Sequence, residues 1–316
     1  MFGLKQTDIS VIGLGPMGRA LAKTLLNTGA CVAVWNRTQA KSRQLMQQGA
    51  WLAENVSQAL LTSPVILLNL TNYEVTHKVL AQADLPAGLQ GKVIIQLATG
   101  TPEEARQLST WVQQHGGHYL DGSIMCWPDS IGTKDAFILV SGSVTAYEKA
   151  QKQLAALAGE IIHLGEDPGT ASAMDEANYC FWIAAVLGLT HGVRICESEG
   201  ISLHAYKEML IGGIPMITGQ LNDVANTMIN GDFSHTLASI FTYSGAVDRL
   251  VEQAESAQIS TQFPRFAQQI FRQAIKAGHG NDDLAALIHV FRTASEKTEA
   301  IVSPLSLPVI PDNAEV

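Results

Sequence analysis

Residues 9–18 read Ile-Ser-Val-Ile-Gly-Leu-Gly-Pro-Met-Gly, an apolar run that ends in a turn of regularly spaced glycines. It passes directly into a helical pattern, Ala20, Leu21, Thr24 and Leu25, that stops at Gly29. Strand, glycine turn and helix in that order are the setting a GxGxxG fingerprint requires. Gly13 permits the tight turn, Gly15 lets the backbone approach a pyrophosphate, and Gly18 lets helix and strand pack closely, with the helix N-terminus facing the anion. Leu14, Pro16 and Met17 fill out the turn and are candidate cofactor contacts with the glycines.

The next apolar run, Cys31 to Trp35, ends in Asn36-Arg37-Thr38, about where a dinucleotide fold places an acid on the adenine ribose. No acid stands there. A carboxylate would repel a 2′-phosphate, whereas Arg37 can pair with one bidentately and Asn36, Thr38 and Lys41 can add donors. The expected cofactor is therefore NADPH rather than NADH.

The alternation continues with a helix to Gln48, a Val65 to Leu70 strand, a helix through Tyr73 to Ala81 and a Val93 to Leu97 strand. Thr101, Pro102 and Glu104 supply an N-cap, a first-turn proline and a capping acid for the following helix. Strands around Tyr119 and at Phe137 to Val140 bracket an irregular segment from Asp121 to Thr133, and Ile161 to Leu164 is the last strand. This pattern is an α/β fold with a doubly wound, mostly parallel sheet of the Rossmann type. Its crevice lies at the carboxyl ends of the strands, where Thr71, Thr99, Met125 and Trp127 fall.

Gly165 to Gly200 reads as one helix entered through Pro168-Gly169, with a span of ~45 Å for about 30 residues. Apolar residues cover nearly every face from Tyr179 to Leu189, the signature of a helix buried on all sides, between domains or between subunits. Asp175 is its conspicuous carboxylate. Helical spacing puts Asn178, Tyr179 and Trp182 on the same side as Asp175. Taken alone, Asp175 reads more plainly as a first-turn acid favoured by the helix dipole. After Ile201 only helices are expected: His204 to Leu210, Ile217 to Ile229, Thr236 to Ala257, Pro264 to Ala277, and Asp282 to Ile301 with Asn281 as N-cap. The division is thus 1–164 for the cofactor domain, 165–200 for the long helix, 201–302 for a helical domain and 303–316 for an extended tail.

At 316 residues, 47% hydrophobic and 16% charged, the chain can fill the cores of two domains. A net charge of −9 gives no electrostatic footprint for nucleic acid or an anionic membrane. The N-terminal apolar run is too short for a signal peptide and unlike a transit peptide, and no apolar run reaches the roughly 18 residues that span a bilayer. A soluble cytoplasmic protein is expected. The four cysteines lack CxxC spacing and stand among apolar neighbours as small core residues do. The nine histidines form no metal-ligand pattern, and no GxSxG elbow is present. A nicotinamide remains as the source of chemistry.

Gly13 to Gly18, Trp35-Asn36-Arg37-Thr38, Gly100-Thr101-Pro102, Asp121-Gly122-Ser123-Ile124-Met125 and Gly278-His279-Gly280 through Leu287, in that order, resemble the β-hydroxyacid dehydrogenase superfamily, and within it the imine reductases and reductive aminases. In the hydroxyacid enzymes the long helix opens on a glycine-led stretch ending Lys-x-x-Asn, whose lysine is the acid/base. The matching stretch here is Asp175-Glu-Ala-Asn178, and no lysine occurs between Lys152 and Lys207. A carboxylate would repel an acid substrate, but it stabilises the iminium cation that accepts hydride. The resemblance implies that imine reductases carry Asp or Tyr here, the Asp group being associated with (R)-selective reduction. As a proton donor Asp175 needs a raised pKa beside Tyr179 and Trp182; ionised, it anchors the iminium. Sequence leaves both roles open.

Two departures bear on the substrate. Thr99 stands where some reductive aminases carry asparagine, and Met125-Cys126-Trp127-Pro128 replaces the glycine-rich carboxylate-binding turn. Trp127, Trp182 and Met216 are candidates to shape an apolar pocket, with core packing as the plainer reading of each. The resemblance further implies a homodimer whose helical domains interlock, the partner's Ser234 to Asp248 region completing each site. The expected activity is NADPH-dependent reduction of an imine, or of a ketone with an amine. Two alternatives are weighed against it: a hydroxyacid-type dehydrogenase, and an NADPH-binding sensor without turnover.

Overall fold

The computed structural model describes residues 6–85 and 88–292. Its first half alternates strands and helices: β1 (Ile9–Ile12), α1 (Pro16–Asn27), β2 (Val32–Trp35), α2 (Arg43–Gln47), β3 (Trp51–Leu52), α3 (Val56–Thr62), β4 (Val65–Leu68) and α4 (Tyr73–Leu80). Then come β5 (Val93–Gln96), α5 (Pro102–Gln114), β6 (His118–Ile124), β7 (Phe137–Gly142), α6 (Val144–Ala155) and β8 (Glu160–His163). The strands form one sheet in the order β3-β2-β1-β4-β5-β6-β7-β8. All pairs are parallel except β6 with β7.

The strands read as continuous apolar runs because both faces of the sheet are covered. Ile9 and Val11, Val65 and Leu67, and Val93 and Ile95 join one core, packed with Leu21 and Leu25 of α1 and Ala150 and Leu154 of α6. Their neighbours Ile12, Ile66, Leu68 and Ile94 join the other, with Leu60 of α3, Leu80 of α4 and Leu108 of α5. Thr101 and Glu104 close the expected capping box at the start of α5. Beyond these expectations, the two-residue β3 and the helix α3 extend the sheet's edge, too short or too weakly patterned to stand out in the sequence.

The long helix is α7 (Thr170–Ser198). Backbone contacts divide the chain within it, into a unit ending at Tyr179 and a unit starting at Cys180. The second unit contains α8 (Leu203–Asn230), α9 (Ile240–Ser256), α10 (Gln262–Lys276) and α11 (Ile288–Phe291). Three expectations are corrected here. The two helices read at His204–Leu210 and Ile217–Ile229 are one continuous α8. Pro215 removes one backbone donor from it, a loss that 28 residues of otherwise intact ladder accommodate. The helix read from Thr236 begins at Ile240, and Asp283 rather than Asn281 caps the final helical stretch, its carboxylate accepting from the Ala285 N–H at 2.9 Å. The tail at 303–316 lies outside the described residues.

The cysteines also depart from the core reading. Cys196 is buried and Cys126 half-buried, but Cys31 and Cys180 are exposed. α7 is the one described helix long and apolar enough to cross a bilayer, by length and composition only, with a mean hydropathy of 1.4 over its best window. Charged and polar residues interrupt it, so the count of uninterrupted apolar residues passes it over. His191 accounts for itself structurally: its Nε2 lies 3.1 Å from the Ser260 carbonyl, and its ring packs on Phe263.

Candidate active site

The glycine turn leaves β1 with Gly13 at φ +100°, in the left-handed region. A β-carbon there would stand 2.2 Å from the Asn69 carbonyl oxygen, and one on Gly18 would stand 2.0 Å from the Gly13 carbonyl oxygen. Both glycines are therefore demanded by packing: β1 against the end of β4, and α1 against its own turn. Gly15 differs. Its φ of −63° suits any residue, and nothing lies within 4 Å of where a β-carbon would be. No side chain caps α1, and Pro16 takes the first helical position, so the Met17 and Gly18 amides at the helix start lack an intrahelical partner. Leu14 is fully buried, and its N–H is already held at 3.0 Å by Asn36 Oδ1.

At the end of β2, Asn36 is committed on both sides of its amide. Besides accepting from Leu14, its Nδ2 donates to the Thr38 carbonyl at 3.0 Å. It ties the fingerprint turn to the loop that follows β2. Arg37, Thr38 and Lys41 are exposed, and among the described residues the Arg37 guanidinium and the Lys41 ammonium have no ion-pair or hydrogen-bond partner. These donors fit a phosphate on the adenine ribose, and the open surface at Gly15 fits a pyrophosphate against the start of α1.

Between β1 and β4 the strand order reverses direction, the place where such sheets bind ligands. Asn69 closes the floor of this crevice by donating to the Leu97 carbonyl at 2.6 Å. Thr71 and Thr99 are exposed at the ends of β4 and β5. Gly100 is required because a β-carbon there would overlap the Tyr73 ring, at 2.1 Å from its nearest carbon.

A buried polar cluster missed in the sequence stands behind this ring. Asp121 of β6 is wholly buried. Its Oδ1 accepts hydrogen bonds from the Tyr73 and Tyr119 hydroxyls, the latter at 3.1 Å, and its Oδ2 accepts from Ser172 Oγ at 2.6 Å. The Ser172 N–H is a further donor. Burial pushes the Asp121 carboxyl up to about 6, while the Ser172, Tyr73 and Tyr119 donors oppose that rise. Burial and the adjacent carboxylate push both tyrosine hydroxyls well up. The available signal was an acid inside the strand His118–Ile124 of a sheet covered on both faces, where every residue from Tyr119 to Ser123 is buried.

Ser172 belongs to the first turn of α7. The adjacent amide, Ala171, donates to Ser141 Oγ at 2.9 Å, and Ser141 Oγ donates to the Pro168 carbonyl at 3.0 Å. Outside the core, Arg106 grips Asp167 bidentately at 3.0 and 2.8 Å, and Asp167 accepts from the Gly169 N–H. Asp175 follows one turn later and is half-buried; Asn178 and Tyr179 are exposed. Met125 packs with Leu139, Ile162, Leu164 and Ala171, and Trp127 is 74% exposed. Trp182 and Met216, in the second unit, are 53% and 65% exposed, so neither is a core residue of the single chain.

Residues 8–165 match the profile of the NAD binding domain of 6-phosphogluconate dehydrogenase, and residues 167–293 that of the NADPH-dependent reductive aminase-like C-terminal domain. The chain is 32% identical over 288 residues to an NADPH-dependent reductive aminase of Aspergillus oryzae, an alignment covering 90% of this chain and 97% of the relative. Among solved structures, an imine reductase from Myxococcus stipitatus in complex with NADP+ is 36% identical with a TM-score of 0.86, covering 90% of this chain and all of that one. A reductive aminase from Aspergillus terreus in complex with NADPH and ethyl levulinate is 31% identical, also with a TM-score of 0.86, over 91% of this chain and all of that one.

Proposed function

The chain belongs to the NADPH-dependent reductive aminase and imine reductase family, and from that premise we propose how its own residues carry the reaction. It is an NADPH-dependent oxidoreductase acting on C=N bonds. The observation that carries the residue assignment is Asp175, an acid on the long helix where a hydroxyacid dehydrogenase has lysine. When bound, the cofactor supplies hydride to the carbon of the imine. The Met17 and Gly18 amides hold its pyrophosphate, and Arg37, Thr38 and Lys41 hold the 2′-phosphate, while Asn36 keeps the two loops in register. Asp175 would hold the protonated nitrogen by charge and so favour the iminium form, whose carbon is electron-poor. Thr99 offers a hydroxyl to the same nitrogen, and Met125, Trp127, Asn178 and Tyr179 shape the substrate's surroundings.

The test follows NADPH absorbance with a cyclic imine such as a 2-substituted pyrroline, in parallel with a ketone plus amine and with 3-hydroxy acids and NADP. Imine-dependent oxidation that falls about 10²- to 10⁴-fold in Asp175→Asn is expected. Full turnover in that variant removes Asp175 from the chemistry, and turnover of hydroxy acids alone overturns the substrate class.

The active form is a homodimer. In the single chain Trp182 and Leu187 of α7 and Met209 and Ile211 of α8 are each more than half exposed, large apolar side chains for a second copy to cover. Light scattering in detergent-free buffer should give twice the chain mass. A monomer, or a species that needs detergent to stay in solution, would remove the dimer.

A further inference from the structure

The Ala171 and Ser172 amides in the first turn of α7 are satisfied from the sheet. Ser141 Oγ takes the Ala171 N–H, and Asp121 takes the Ser172 N–H and hydroxyl. Asp121 and Ser141 are direct cross-strand partners on β6 and β7, the antiparallel ladder of the sheet. Their side chains therefore leave the same face side by side, where a helix N-terminus can rest on both. A buried carboxylate against that N-terminus gains from the helix dipole as well as from its hydrogen bonds.

We propose that Asp121 is a positioning residue for imine reduction: with Ser141 it fixes the first turn of α7, and so sets where Asp175, one turn on, presents its carboxyl group. The inference rests on the reading of Asp175 given above. Donors from three elements converge on the Asp121 carboxylate, Tyr73 from α4, Tyr119 from β6 and Ser172 from α7, and they occupy both of its oxygens. Gln96, its register neighbour on β5, donates instead to Thr76 Oγ1. Among the described residues no cation and no second carboxylate is a hydrogen-bond partner of Asp121. The cluster is built for the ionised form, since a protonated Asp121 would bring one more donor to a site already supplied with donors. Protonation then loosens the turn that carries Asp175. Turnover should fall as pH drops through the Asp121 titration, near 6.

The experiment measures kcat and KM against pH for Ser172→Ala, Tyr73→Phe and Asp121→Asn, with hydrogen exchange of the peptide covering residues 170–178. Removing a donor raises the Asp121 titration, so the acid limb of kcat should move to higher pH, further in Ser172→Ala than in Tyr73→Phe. Ser172→Thr keeps the hydroxyl and should return it. Asp121→Asn should lose that limb and lower kcat about 10- to 100-fold, the cost of a misplaced reacting group. KM for NADPH should stay within about twofold, because the loss falls on the reacting geometry. Exchange in 170–178 should quicken. If Asp121→Asn does not fold, Ser172→Ala and Tyr73→Phe decide alone. Variants with lower melting temperatures but an unmoved kcat and acid limb would overturn the positioning role. Asp175→Asn separates the two readings: if it loses turnover while the Asp121 set does nothing, only the positioning role falls. If it keeps full turnover, the role of Asp175 falls first, whatever the Asp121 set does.

Discussion

Two helices start against the same sheet and meet opposite treatment. α1 follows β1 with no side-chain cap and a glycine at its N-cap; α7 enters above β6 and β7 with its first amides taken by Ser141 and Asp121. The physics of the two termini is the same, unpaired N–H groups and a favourable field for an anion. What differs is the source of the anion. At α1 the donors face a surface kept clear by Gly15, suited to a phosphate from solution; at α7 the chain supplies its own carboxylate and shuts the terminus into the core. One end binds and the other holds.

The sharpest break of this comparison is within the glycine turn. Gly18→Ala must push its β-carbon into the Gly13 carbonyl, 2.0 Å away. The cofactor-free protein should lose more than about 3 kcal/mol, beyond ordinary overpacking. Gly15→Ala meets nothing and keeps an ordinary backbone, so its melting temperature without cofactor should hold while NADPH binding weakens. Equal melting temperatures for the two variants would show that the turn can relax and that both glycines serve the ligand.

The next test is the sign of a pH effect at α7. The folded-state value for Asp121 is raised, from 3.8 to about 6, so between those limits the folded protein binds the proton more tightly than the unfolded chain. Relative to Asp121→Asn, stability should therefore rise as pH falls from about 6 toward 4, by on the order of 3 kcal/mol. Urea titrations at several pH values measure it. Asp167, held below its usual range by Arg106, has the opposite sign: its contribution is lost as pH falls. That pair is half exposed and adds little. A gain in stability at lower pH, together with the loss of turnover argued above, would separate the cost of holding a buried charge from its use.

Smaller effects sharpen the α1 side. Arg37→Ala removes a charged partner of the 2′-phosphate and should raise KM for NADPH by about 1.5–3 kcal/mol while leaving NADH unchanged. Asn36→Ala frees the Leu14 N–H and the Thr38 carbonyl, and should weaken both cofactors alike by about 1 kcal/mol. If Asn36→Ala instead discriminates between the cofactors, Asn36 touches the phosphate rather than the turn.

Much of this was legible in local chemistry. The fingerprint, the acid missing after β2, the capping box at Thr101 and the apolar long helix depend on neighbours within a turn or a strand, so residue order carries them. The long proline-free stretch after Pro168-Gly169 also placed Asp175 on α7. The errors share a different cause. Gly212, Gly213 and Pro215 argue locally against a helix, yet α8 runs through them because the flanking turns outweigh one missing bond. Asn36 reads as a donor to the 2′-phosphate, and the fold adds a task no spacing shows, the hold on the Leu14 amide and the Thr38 carbonyl.

The sequence by itself determined the doubly wound sheet, the preference for a phosphorylated ribose and the exchange of lysine for Asp175, since each follows from a short pattern of residue types. Only the tertiary structure decided what holds Asp175 in place. Tyr73, Asp121, Ser141 and Ser172 come from four separate elements, and no spacing connects them. Their contact exists because β6 and β7 run antiparallel, put Asp121 opposite Ser141 and offer both to the open amides of a helix that starts far along the chain.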